Sequence, residues 1–137
     1  MISLEEFHKR NVELSEELLR DECLSPQVTV MTKKDQTVIV LWEFVKDRVK
    51  RPLFLIDYAI SRVEDWELAN FMCAMSIGPE MKDYRRGAIQ RYPGRRRVVW
   101  VWTVSREGRK LATSKRIVGE GRDMVLEDLE DGNGLDL

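Results

Sequence analysis

The stretch from Arg95 to Val118 constrains the fold more than any other part of the chain. It reads RRRVVWVWTVSREGRKLATSKRIV, in which three arginines precede a run of β-branched and aromatic residues. Such a run favours a strand over a helix. A polar connection with one glycine, Ser105–Arg109, leads to a second and more polar run, Leu111–Val118. We therefore predict a β-hairpin here, and we expect the rest of the chain to cover one face of its sheet.

Two helices are predicted before this hairpin. Ser3 followed by Glu6 matches a capping box, so the first helix should begin at Ser3 and continue to about Glu22, and a break near Asn11–Ser15 is an open alternative. Pro52 suits the first turn of a second helix. The helical spacing of apolar residues extends this second helix to about Glu64–Trp66.

Three further segments are predicted to be strands. Gln27–Met31 and Thr37–Phe44 have the composition of a hairpin, and the second of them is apolar on both faces, which favours an interior position in the sheet. Phe71, Cys73, Met75 and Ile77 alternate along Leu68–Ile77, and the segment ends at Gly78-Pro79. A strand is the preferred interpretation, because a helix continuing from Pro52 through this segment would be unusually long.

The resulting order, α-β-β-α-β-β-β, predicts an α+β protein whose antiparallel sheet of about five strands carries both helices. We assign residues 1–122 to a single domain and residues 123–137 to an acidic segment, either flexible or helical over Asp123–Glu130. The order of elements resembles that of the roadblock and profilin-like folds, which serve as adaptors. The predicted core includes four aliphatic residues: Val40, Ile56, Ile60 and Val99.

Charge is strongly segregated along the chain, although the formal net charge is only −1. Lys82–Arg116 holds twelve basic residues and two acidic ones. The last eighteen residues hold seven acids against Arg122, and the first twenty-five hold seven acids against three bases. Such a charge distribution bears on what the protein binds and not on which fold it adopts. We expect the basic segment and the acidic end to attract each other within or between molecules.

The basic segment contains most of the candidate binding residues. Its arginines could neutralise phosphates and its tyrosines could stack on unpaired bases, whereas the plainer interpretation is a solvated loop or a partner for the acidic end. No RNP motif, GXXG loop or zinc-finger pattern accompanies them. The candidates here are Tyr84, Arg85, Arg86, Arg91, Tyr92, Arg95, Arg96 and Arg97.

Trp100 and Trp102 complete the candidate binding residues. They lie on one face of their strand, so they are core residues if that face is covered. If it is open, they would form an aromatic binding surface for a partner or a second subunit. Trp42 poses the same question on another predicted strand.

The inventory of reactive residues argues against catalysis and against a cofactor or metal site. His8 is the only histidine and lies in a polar helical stretch, where we expect it to be exposed. Cys23 and Cys73 are far apart, so there is no CxxC pattern for zinc or redox chemistry. A phosphate-binding GxxxxGK[ST] loop is absent, and Gly119-Glu120-Gly121 alone is not a dinucleotide-binding motif.

These observations predict a small non-enzymatic domain that binds another macromolecule. A protein is the leading partner, and a symmetric homodimer would pair the basic part of one chain with the acidic part of another. The alternative is a nucleic-acid-binding accessory protein that uses Arg85–Arg97. An apolar run long enough to span a membrane is missing, and the N-terminus lacks a signal-peptide pattern, so we expect a cytoplasmic protein without membrane contact.

Overall fold

The computed structural model describes residues 2–40, 56–57, 60–77 and 96–128. Their main elements are a helix, α1 (Leu4–Arg20), and six strands: β1 (Gln27–Met31), β2 (Gln36–Val40), β3 (Leu68–Ile77), β4 (Arg96–Ser105), β5 (Lys110–Val118) and β6 (Val125–Asp128). A short 3-10 helix, Gly121–Asp123, precedes β6. The strands form one antiparallel sheet in the order β2-β1-β3-β4-β5-β6. The predicted α+β class with an antiparallel sheet is confirmed, with six strands instead of about five.

The start of α1 follows from its sequence. The hydroxyl of Ser3 accepts a hydrogen bond of 3.1 Å from the backbone N–H of Glu6, as the capping box predicts. The helix then passes through Asn11 and Ser15 without a break. Both side chains donate to carbonyls of the preceding turn, Asn11 to Phe7 at 2.9 Å and Ser15 to Val12 at 2.7 Å, so they are satisfied without ending the helix.

The end of α1 is a Schellman motif with an unusual residue in it. The backbone N–H of Cys23 donates to the carbonyl of Leu18 at 2.9 Å, and that of Glu22 donates to Leu19 at 3.0 Å. Glu22 occupies the left-handed position of this motif, with φ of 56°, where glycine is the usual residue. The backbone of α1 is therefore strained at its C-terminal end.

The predicted hairpin around Arg95–Val118 is confirmed. Strands β4 and β5 pair from Val98 opposite Arg116 to Val104 opposite Lys110. The turn between them is closed by two backbone hydrogen bonds, from Ser105 to Arg109 at 2.9 Å and from Gly108 to Ser105 at 3.0 Å. Gly108 has φ of 92°, which explains why the predicted connection needs a glycine.

The two faces of the sheet bury separate apolar clusters, because side chains alternate along each strand. On the face that contacts α1, Met72, Val99 and Val101 pack with Leu18 and Leu19 of the helix. Nearer the N-terminus of α1, a second cluster joins Leu4, Phe7 and Leu68. On the opposite face the buried residues are Val28, Val30, Ile56, Ala69, Phe71, Cys73, Val98, Trp100, Trp102 and Val104.

The predicted core and second helix are supported only in part. Ile56 and Val99 are buried, at 1% and 2% exposure, and Ile60 is half-buried against the cluster of Phe71. The side chain of Val40 lies outside the described residues. Residues 56, 57 and 60 are helical, but the chain turns at 61–62, so the helix ends before the predicted Glu64–Trp66. Most of the remainder of that helix, including its predicted start at Pro52, lies outside the described residues.

Three strand predictions have different outcomes. Leu68–Ile77 is a strand, as preferred, and pairs with both β1 and β4. The interior position predicted for Thr37–Phe44 is wrong for its described part, because β2 pairs there with β1 alone and Val38 is 48% exposed. Residues 41–44 lie outside the described part.

The start of the acidic segment is also a strand. Val125–Asp128 pairs with β5 as β6, in place of the helix predicted from Asp123 to Glu130. The physical reason is that β5 offers it a row of backbone hydrogen-bonding groups, which a four-residue segment satisfies better by pairing than by a single isolated helical turn. Residues 129–137 lie outside the described residues.

Candidate functional site

A buried layer of polar side chains lies between α1 and the sheet. The Nδ1 atom of His8 is 2.7 Å from the Thr103 hydroxyl on β4, and its Nε2 atom is 2.7 Å from the Thr113 hydroxyl on β5. Asn70 on β3 donates its side-chain amide to the Thr103 hydroxyl at 2.8 Å. Asn70 and Thr103 are both fully buried, and His8 is 9% exposed. The predicted exposure of His8 is therefore wrong.

Both ring nitrogens of His8 have a hydrogen-bonding partner in this layer. The Thr103 hydroxyl accepts from Asn70 and pairs with the Nδ1 atom of His8, and the Thr113 hydroxyl pairs with the Nε2 atom. Burial lowers the pKa of His8, because the charged ring would lose its hydration. His8 is therefore a neutral, satisfied residue at neutral pH.

The contact between His8 and Thr113 has the distance of a base and a hydroxyl nucleophile, but the surroundings do not suit catalysis. The imidazole is almost enclosed and Thr113 is half-buried. The polar layer serves to position α1 on the sheet.

The tryptophans among the candidate binding residues are buried. Trp100 is 6% exposed and Trp102 is not exposed, on the sheet face opposite α1. The core interpretation therefore holds for both, and they do not form an exposed aromatic surface. Trp42 lies outside the described residues.

The arginine cluster is described only at its end. Arg97 is half-buried, and its guanidinium donates a hydrogen bond to the carbonyl oxygen of Gly119. Arg96 is the first residue of β4, and its side chain is not described. The other candidates lie outside the described residues: Tyr84, Arg85, Arg86, Arg91, Tyr92 and Arg95.

A shallow pocket of about 230 Å³ lies where the C-terminal end of α1 meets the connection between β5 and β6. We call it the end pocket. Leu19, Ile117 and Met124 supply its apolar part, and two of these, Ile117 and Met124, are buried. The remaining lining residues are Glu22, Arg97, Gly119, Glu120 and Gly121. A recess that combines apolar and charged lining residues has the composition of a small binding site.

The acidic residues of the end pocket are held by unusual backbone. Glu22 has the left-handed conformation described above, and Glu120 stands between two glycines with positive φ, 84° at Gly119 and 56° at Gly121. Arg97 ties this turn to β4 through Gly119. The sequence signal was the Gly119-Glu120-Gly121 triplet, which marks a tight turn but not what the turn faces.

Basic and acidic residues meet along β5 and β6, as the charge segregation predicts. Lys115 lies opposite Asp128 and its Nζ atom is 3.6 Å from that carboxylate, while Arg116 lies opposite Glu127. The Asp128 side chain is 93% exposed, so this pair contributes little to stability. Its effect is to place acidic groups beside the basic strand.

Two other bases of the Lys82–Arg116 segment are engaged in the fold. The guanidinium of Arg106 donates to the carbonyls of Glu64 and Trp66, each at 3.0 Å, and lies 6.0 Å from the centre of the Trp66 ring. Arg109 forms an ion pair with Glu5 at the start of α1. These arginines hold the β4–β5 turn to the neighbouring segments. Their interactions are thus explained by the fold, without an external ligand.

The described residues thus define an α+β protein with one small charged pocket and a structural polar layer. Among these residues, no group of three histidine, cysteine or acidic side chains could hold a metal ion. No helix in the described part of the chain is long and apolar enough to cross a membrane. No protein-family model, curated protein or solved structure matches the chain, so the resemblance to roadblock and profilin-like folds stays an analogy.

Proposed function

We propose that this chain is a small non-enzymatic domain that binds another macromolecule in the cytoplasm, and that the domain extends beyond the predicted boundary at residue 122 to include β6. Its partner is a protein, and the activity is that of an adaptor or accessory protein. The observation that carries the proposal is the end pocket, a shallow recess lined by both apolar and charged residues. Such a recess suits a single side chain of a partner better than an enclosed substrate.

The state of the reactive side chains supports a binding function. Burial raises the pKa of the Cys73 thiol to about 12, so almost no thiolate forms at neutral pH. The pKa of His8 is lowered, and both of its ring nitrogens are hydrogen-bonded to threonine hydroxyls. Both groups are therefore explained by packing, and neither is placed as a nucleophile or general base.

Self-association is part of the proposal. Among the described residues, strand β5 is basic, whereas its neighbour β6 and the end of α1 carry acidic residues. Two copies related by a two-fold axis could set the basic surface of each against the acidic surface of the other. Sedimentation velocity at micromolar concentrations should report a dimer that dissociates in high salt. A monomer at every salt concentration would contradict this part of the proposal.

Nucleic-acid binding is the second candidate function, and the strand order favours it. The connection 78–95, which carries Arg85, Arg86, Arg91 and Arg95, joins Ile77 to Arg96, which are paired at one end of the sheet. The same end holds Arg97, and Arg116 is near it on β5. The described bases at this end of the sheet could contact phosphates, whereas Arg85, Arg86, Arg91 and Arg95 lie outside the described residues.

A salt titration with labelled DNA and RNA separates the two functions. For a nucleic-acid-binding protein, the logarithm of the binding constant should fall steeply and linearly with the logarithm of the salt concentration, because binding releases counterions from the phosphates. The protein-binding function predicts weak binding or none in the intact chain. Neutralising Glu127 and Asp128 tests whether β6 masks the basic strand, and these substitutions avoid a deletion that would remove part of β6.

Replacing Arg95, Arg96 and Arg97 by alanine should abolish any nucleic-acid binding gained in this way. Tight binding by the intact protein would make nucleic-acid binding the leading function. No binding by either form would leave the arginines as a protein-facing or solvated surface.

A further inference from the structure

We propose that the end pocket binds the side chain of an arginine or lysine from a basic segment of a protein partner. The inference rests on the proposed protein-binding function and names the chemistry of the partner. Two exposed acidic residues, Glu22 and Glu120, line the pocket together with one guanidinium, that of Arg97. The lining therefore has an excess of negative charge.

The bases nearest to the pocket are already engaged. Arg20 pairs with Glu16 at 2.8 Å, and Arg122 pairs with Asp21 at 3.2 Å. Arg97 directs a guanidinium hydrogen to the carbonyl of Gly119. Among the described residues, Glu22 and Glu120 thus have no ion-pair partner. A cation from outside the chain would supply one.

The backbone adds to this preference. The pocket lies at the C-terminal end of α1, where the last carbonyls carry the negative end of the helix dipole. A cation is favoured there and an anion is disfavoured.

The apolar lining residues of the pocket suit the rest of such a side chain. Leu19, Ile117 and Met124 present apolar atoms beside the acidic residues. Lysine and arginine have methylene stems that pack on apolar surface while the charged head stays near polar groups and water. The volume, about 230 Å³, admits one long side chain and its hydration but no large ligand. Shape and charge therefore point to the same occupant.

The test uses a short peptide as the probe. A capped Gly-Arg-Gly tripeptide is titrated into the full-length protein, and the backbone amide signals of Gly119 and Gly121 are followed by NMR. The matched control peptide contains citrulline, which keeps the shape of arginine and removes its charge. We expect saturable shifts at these two glycines with the arginine peptide and at least threefold weaker binding of the citrulline peptide.

Substitutions localise the effect. Glu120→Gln and Glu22→Gln should each weaken binding of the arginine peptide about threefold to tenfold, whereas Glu127→Gln, which removes an exposed acid on β6 outside the pocket lining, should not. Equal binding of the two peptides, or no shifts up to about 10 mM peptide, would overturn the inference. Shifts that survive both pocket substitutions would also overturn it.

Failure here is distinguishable from failure of the proposed function. If the protein still captures a protein partner and both pocket substitutions leave that capture unchanged, the pocket assignment is wrong and the binding function stands. If no protein is captured and the chain is monomeric, the proposed function itself fails.

Discussion

The Nδ1 atom of His8 lies 2.7 Å from the Oγ1 atom of Thr103, although 95 residues separate them in sequence. This contact joins α1 to β4, the strand at the centre of the surface on which the helix packs. The imidazole is buried with threonine hydroxyls as its partners and without a carboxylate. Lys115, whose Nζ atom lies near Asp128, is the charged residue that β5 presents on this side of the sheet. Glu5 and Lys9, close to His8 on α1, are exposed.

The buried imidazole predicts a stability that falls in mild acid. Burial lowers the pKa of His8 in the folded state below its ordinary value of 6.5. Below that ordinary value the unfolded chain binds a proton that the folded chain resists, so the free energy of unfolding should decrease as pH falls from 6.5 towards the folded pKa. Urea unfolding at several pH values between 7 and 5 measures this decrease.

His8→Gln is the control for this prediction, because glutamine can donate and accept hydrogen bonds but does not titrate. Its free energy of unfolding should change less than that of the unaltered protein over the same pH range. An equal dependence on pH in both proteins would mean that His8 does not resist protonation.

A second prediction concerns the strained end of α1. Glu22→Gly should raise the free energy of unfolding by about 0.5–1 kcal/mol, because relief of a left-handed residue outweighs the extra freedom of glycine when unfolded. Glu17→Gly, inside the helix, is the control and should destabilise by about 1 kcal/mol. Chemical denaturation measures both.

A third prediction compares two glycines with positive φ. A Cβ atom at Gly119 would lie 3.1 Å from the backbone oxygen of Asp123, whereas one at Gly108 would meet nothing within 4 Å. Both alanine variants carry similar backbone strain, with φ of 84° and 92°. Gly119→Ala should therefore cost about 1 kcal/mol more than Gly108→Ala in the free energy of unfolding. Equal costs would show that the β5–β6 connection relaxes around the added methyl group.

A fourth prediction tests the face of the sheet opposite α1. Ile56 is 1% exposed and packs with Val28 and Phe71, whereas Ile60 is half-buried at the margin of the same cluster. Ile56→Ala should cost about 2–5 kcal/mol, and Ile60→Ala should cost clearly less. Melting temperatures of the two variants decide this. An unchanged value for Ile56→Ala would mean that this segment does not cover the sheet.

Local interactions explain which parts of the fold could be predicted from the sequence. The Ser3 cap and the β4–β5 hairpin depend on residues close in sequence, and both are confirmed. The outer position of β2 among the described strands could not be predicted, because its apolar residues do not specify how many neighbouring strands it has. His8 was assigned to the surface because the threonines that satisfy it lie 95 and 105 residues away.

The candidate site was less predictable than the fold for the same reason. Glu22 and Glu120 come together only when α1 packs beside the β5–β6 connection, and their sequence neighbourhoods show an acidic helix end and a glycine turn. For Trp100 and Trp102 the sequence was informative only in part. The alternation of side chains along a strand predicts that the two lie on one face, but it does not tell whether that face is covered.

The most direct test of the central claim is affinity capture by the immobilised full-length protein from a native lysate, with and without nuclease treatment. The proposed function predicts a stoichiometric protein partner that is retained after nuclease treatment, and the further inference predicts that it is released by the Glu22→Gln and Glu120→Gln substitutions. Loss of all captured material on nuclease treatment, or capture of nothing but nucleic acid, would contradict the claim that this domain works by binding a protein.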